Sequence, residues 1–86
     1  MLSMMTESLK NALLKAIQLA QSNDWEGAHQ IVQTYSDDTA CWIHAVLHKI
    51  EGDEENSRYW YRKCKTSYEN FLNANEELNA ILEFLN

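Results

Sequence analysis

Proline is absent from the chain, and glycine occurs only at Gly27 and Gly52. β architectures lean on both residues to reverse the backbone, so few routes to tight hairpins and sheets remain. The chain carries instead a series of short polar stops: Asn23-Asp24, Ser36-Asp37-Asp38-Thr39, Gly52-Asp53 and Asn73-Ala74-Asn75. Between them apolar residues recur every three or four positions, the period of an amphipathic helix. Side chains of Asn, Asp, Ser and Thr at such stops accept the free N–H groups of a helix start. The expectation is all-α: a single domain over 1–86 of about five short helices, packed as antiparallel helical hairpins.

The spacing places a first helix from about Thr6 to Ser22, with Leu9, Ala12, Leu13, Ala16, Ile17 and Ala20 inward. Asn23 is expected to cap a second helix, Asp24 to Tyr35, with Glu26 reaching back to it. Gly27 within that helix costs about 1 kcal/mol against alanine, which points to close packing or a weak first turn. A third helix runs from Ala40 to Glu51, its apolar stripe formed by Ile43, Val46, Leu47 and Ile50. Gly52 stops it in a left-handed conformation, and Asp53 caps a fourth helix reaching about Thr66. Tyr68 to Leu72 reads equally as a helical extension or a connector. Asn73 and Glu76 repeat the capping pattern before a last helix carrying Leu78, Ile81, Leu82 and Leu85.

Charge removes one class of partner. Because phosphate binding needs a basic face, a net charge of -6 over 86 residues leaves nucleic acid an unexpected partner. No apolar run approaches the roughly 20 residues that span a bilayer, so no membrane partner is expected. The opening MLSMMTESLK has no basic stretch before an apolar one and does not read as a secretory leader. The two cysteines then read as reduced thiols in a cytoplasmic protein, with a Cys41–Cys64 disulfide as the alternative.

The starts Asn23-Asp24-Trp25-Glu26 and Gly52-Asp53-Glu54-Glu55 look alike, as two stacked hairpins would make them. The segment GDEENSRYWYRKC resembles the turn and second helix of a tetratricopeptide repeat, and more closely its Sel-like relatives. Ser57, Tyr61 and Cys64 stand where those repeats place small, aromatic and small residues. The spacing between the two starts is shorter than the usual 34-residue repeat, and the closing proline is missing. The longer string WIHAVLHKIEGDEENSRYWYRK resembles small uncharacterised bacterial proteins with a WIHA–LH–EGD–N–YWY core, a resemblance that brings no activity with it. What these resemblances imply is a tetratricopeptide-like packing of hairpins.

Chemistry concentrates on the third helix. Cys41, His44, His48 and Glu51 share one face, and two histidines four residues apart can reach one metal ion. The residue after His44 is Ala45, so the glutamate base of a zinc hydrolase is missing and that reading fails. Histidines on such a face also serve as packed, hydrogen-bonded core groups. On the fourth helix Ser57, Trp60, Tyr61, Cys64 and Tyr68 face inward. Arg58, Tyr59, Arg62 and Lys63 face outward, as a solvated ion-pair face or a contact surface. Cys64 beside two lysines could be an activated nucleophile, but an inward thiol more often behaves as a small hydrophobe.

No nucleophile motif or phosphate loop is present, so no enzyme activity and no cofactor are expected. The leading expectation is a helical-hairpin module for protein–protein interaction or self-assembly. The alternative is a small-ligand site built from His44, His48, Glu51, Tyr59 and Arg62, or a metal site of His44, His48 and Glu51.

Overall fold

A computed structural model describes residues 5–86. The expectation that the opening MLSMMTESLK is not a secretory leader rests partly on residues 1–4, which lie outside the described residues. The described chain is all-helical: α1 (Glu7–Gln21), α2 (Trp25–Val32), α3 (Asp38–Ile50), α4 (Glu54–Tyr61), a 3-10 turn (Tyr68–Asn70) and α5 (Ala74–Leu85). Each helix opens on a side-chain cap. Thr6, Asp24, Asp37, Asp53 and Asn73 accept from the backbone N–H of Leu9, Gly27, Ala40, Asn56 and Glu76, at 2.9–3.2 Å. Such a cap contributes about 1 kcal/mol.

The α2 cap is Asp24 rather than Asn23, and α3 opens at Asp38 under an Asp37 cap, two residues before the expected Ala40. Asn23 ends α1 instead, at φ 68, as Gly52 ends α3 at φ 85. At both ends the left-handed residue donates to the carbonyl three back, Ala20 or Lys49. The following aspartate N–H donates to the carbonyl five back, Leu19 or His48. One hydrogen-bonded turn, a Schellman stop followed by an aspartate cap, therefore joins α1 to α2 and again α3 to α4. Gly27 is small for a local reason: a Cβ there would stand 2.6 Å from the Asp24 carboxylate that caps the helix.

The α1–α2 and α3–α4 hairpins stack through α2 and α3, and α5 packs on both α1 and α3. The core is Leu13, Ala16 and Ile17 of α1, Ala28 and Val32 of α2, Ala40, Ile43, Val46 and Leu47 of α3, and Leu78, Ile81 and Leu85 of α5. Helix α3 packs against all four others, and nine of its 13 residues are buried. Ile50, expected in its apolar stripe, is 45% exposed, because it lies at the C-terminal end of the helix. Helix α4 is shorter than expected, ending at Tyr61. Tyr68 to Leu72 resolves into the 3-10 turn and extended chain.

Helix α4 brings no aliphatic residue into that core; polar contacts hold it. Ser57 donates to the Ala45 carbonyl at 2.7 Å, and the Tyr61 hydroxyl to Glu77 at 2.7 Å. Glu77 is fully buried on α5 and also accepts from Trp42 Nε1 and Lys49 Nζ, both at 2.8 Å. The same ammonium donates to the Tyr68 and Phe71 carbonyls and lies over the Tyr61 and Tyr68 rings. A buried charge is tolerated when paired and fully hydrogen-bonded, and this pair ties α3, α4, α5 and the connector together.

Candidate histidine-centred binding site

Helix α3 is buried on two sides, and the side opposite the apolar core carries Cys41, His44, Ala45 and His48. The chain's three histidines meet where that side faces α2. His29, half-buried on α2, places Nε2 3.1 Å from Nε2 of His44. His48 lies one turn along α3, its ring 5.0 Å from that of His44 and 5.4 Å from that of His29. One ring nitrogen from each of the three falls within 4.8 Å of the others.

Two tryptophans hold the rings in place. Trp25 stacks on His29 at 4.7 Å and 10°, with its own indole N–H anchored on the Leu47 carbonyl at 2.6 Å. Trp60 of α4 stacks on His44 at 3.8 Å and 13°. On the His48 side, Glu51 Oε2 lies 2.7 Å from Nδ1. A carboxylate only accepts, so that nitrogen carries the proton, and in the neutral ring Nε2 is left as a free lone pair. Asp53, the α4 cap, stands beside them: His48, Glu51 and Asp53 also offer atoms within 4.8 Å of one another.

Burial sets the charge state. It lowers the His44 pKa to about 4, with His29 and His48 adding repulsion. His29 is lowered too, by burial and then by His48, against weaker opposite effects of Glu26 and Glu51. Both rings are therefore neutral at neutral pH. Between their facing nitrogens only one proton can sit, and His44 Nδ1 is buried with no partner among the described residues.

Of the residues expected at a ligand site, the structure brings His44, His48 and Glu51 together. Glu51 pairs with Nδ1 of His48 and is not among the groups within reach of His29 and His44. Tyr59 and Arg62 are not brought in. Tyr59 is 45% exposed, edge-on to Trp60 and under Lys63. Arg62 lines a cavity with Arg58, Tyr61 and Tyr68. Sequence reasoning missed His29, Trp25 and Trp60. The one signal for them was the count: a chain with three histidines has few other candidates once two share a face.

The thiols offer no nucleophile. Both cysteines are free. Cys64 is pushed up to about 11, chiefly by burial, and Cys41 is raised by burial and then by Asp37 and Asp38. Both stay protonated at neutral pH, so Cys–His chemistry has no thiolate to work with. No described helix is long and apolar enough to cross a membrane. Comparisons with protein-family models, curated proteins and solved structures find no match.

Proposed function

We propose that the protein is a non-catalytic binding protein whose ligand is held at the histidine cluster between the two hairpins. The observation that carries this reading is the convergence of all three histidines on one point, with the most buried of them left short of a partner. A cluster serving packing alone would satisfy its nitrogens, since an unmet buried polar group costs about 1–3 kcal/mol. The protonated thiols support a binding role over a catalytic one.

The test is a thermal-shift screen of divalent metal chlorides, phosphate, carboxylates and amino acids on the wild type and on His29→Ala. His29 is half-exposed, so this variant disturbs the core less than a change at His44. A stabilising compound whose effect is lost in His29→Ala supports the reading; a screen with no stabiliser overturns it.

A second reading, interaction with a partner protein or self-assembly, draws support from apolar groups left at the surface. Leu72 is fully exposed, and Ile50 and Phe84 are nearly half exposed. Light scattering that gives a strict monomer at high concentration removes the self-assembly form of it.

A further inference from the structure

The cluster constrains the chemistry of its ligand more tightly than a general binding role does. We propose that the ligand is a divalent transition-metal ion of the zinc type, held by one ring nitrogen each of His29, His44 and His48. Glu51 acts as the carboxylate behind His48, and a fourth position is left for water or an added ligand. This rests on the reading of the cluster as a ligand site.

Spacing comes first. Nitrogens bound at about 2.0–2.1 Å around a tetrahedral zinc lie roughly 3.3 Å apart. The two Nε2 atoms of His29 and His44 are 3.1 Å apart, and the third nitrogen lies within 4.8 Å. The His48 nitrogen would move closer for the set to close around one ion. At 3.1 Å a proton uses only one of the two facing lone pairs, whereas a cation between the rings uses both. Coordination through Nε2 places the His44 proton on Nδ1, which has no partner among the described residues.

The donors choose among ions. Three imidazoles suit zinc, copper, nickel or cobalt; magnesium and calcium require oxygen ligands. Anions are disfavoured, because Glu26, Glu51 and Asp53 lie around the rings on an acidic chain.

The surroundings are those of a supported metal site. Ligating histidines usually donate their second ring nitrogen to a carboxylate, which sets the tautomer and raises basicity. His48 has that partner in Glu51 at 2.7 Å. The stacked Trp25 and Trp60 hold the His29 and His44 rings in orientation, and the Trp25 indole is itself tied to the α3 backbone.

The experiment titrates the whole chain with zinc chloride by calorimetry and with cobalt(II) chloride by visible absorption, near pH 7.5. Expected are one ion per chain, the intense visible bands of four-coordinate cobalt, and quenching of tryptophan fluorescence through Trp25 and Trp60. His29→Gln and His48→Gln should each lower affinity at least about 100-fold and abolish the cobalt bands. Glu51→Gln should lower affinity roughly 10–100-fold while keeping the bands, as a carboxylate behind a ligand does and a ligand does not. Tyr59→Ala should change neither.

Weak pale cobalt spectra that the histidine variants leave unchanged would overturn the proposal, as would histidine NMR resonances unmoved by zinc. If metals fail while an organic compound from the thermal-shift screen binds and needs His29, the metal assignment falls and the ligand site stands. If neither binds, both fall.

Discussion

Lowering the pH from 7 to 5 should destabilise this protein through His44, in a window where most carboxylates are still charged. The His44 pKa is lowered from 6.5 to about 4 in the fold. The unfolded chain therefore takes up this proton first as pH falls. Stability contributed by the neutral ring is fully present above about 6.5, is lost progressively below it, and stops changing below about 4. Integrated from pH 7 to pH 5, the loss is about 2 kcal/mol, out of about 3 kcal/mol over the whole window. His44 is only 4% exposed, so solvent screening takes little from this figure.

The groups around it shape the slope. His29 has the same sign, being lowered as well, and Glu26 and Glu51 oppose it by favouring a charged His29. His48 repels a charged His44. The assay is urea denaturation at pH 7 and pH 5 on the wild type and on His44→Leu, which keeps the bulk and removes the titration. The wild type should lose about 2 kcal/mol more than the variant between the two pH values. Equal losses refute the argument, as does an NMR titration placing the His44 midpoint near 6.5.

Three further perturbations test the frame that holds the cluster. Glu77→Gln leaves the Lys49 ammonium buried without its carboxylate and should cost about 3–5 kcal/mol by chemical denaturation; a loss below about 1 kcal/mol contradicts the buried-pair account. Gly52→Ala meets no atom within 4 Å, so its cost is backbone strain alone at φ 85, about 1–2 kcal/mol, with Gly52→Asn milder. Asp53→Ala removes the α4 cap and should cost about 1 kcal/mol; because Asp53 also stands beside His48 and Glu51, zinc titration of the same variant reads whether it influences the site. Saturating zinc at about 100 times its Kd should add about 2.7 kcal/mol to stability, and a chelator should remove that increment.

The all-α class and the five helices could be read from the chain because their causes are local. Asp53 and Asn73 cap where expected, Gly52 adopts the left-handed stop, and Leu13, Ile17, Ile43, Leu78 and Ile81 fall inward on period. The α2 cap at Asp24 was displaced by one residue because Asn, like Gly, can take positive φ, and at Asn23 that role prevailed over capping. The end of α4 was misplaced because Arg62, Lys63 and Lys65 suit a helix terminus equally well a turn later. The burial of Glu77 was not legible at all. Its three donors, Trp42, Lys49 and Tyr61, come from two other helices, and α5 alone reads it as a surface residue.

The histidine site was half-visible for a related reason. The two hairpins repeat their packing in the same register: Ala16 and Ile17 correspond to Ala45 and Val46, and Ala28 and Val32 to Ser57 and Tyr61, all of them buried. The chemistry does not repeat. His29 has Arg58 as its counterpart, on the outer face of α4 and paired with Glu54 and Glu69. His44 and His48 have Lys15 and Leu19. The cluster therefore exists only where the second helix of one hairpin meets the first helix of the next. Periodicity along α3 finds His44 and His48, because one helix carries both. It cannot find His29, because that contact is created by stacking, between positions whose counterparts in the other hairpin have nothing in common with them. A site formed at that junction ties ligand binding to the docking of the hairpins. Its occupancy should therefore stabilise the α2–α3 contact specifically, with hydrogen-exchange protection rising at Ala28–Val32 and at Thr39–His48 more than along α5.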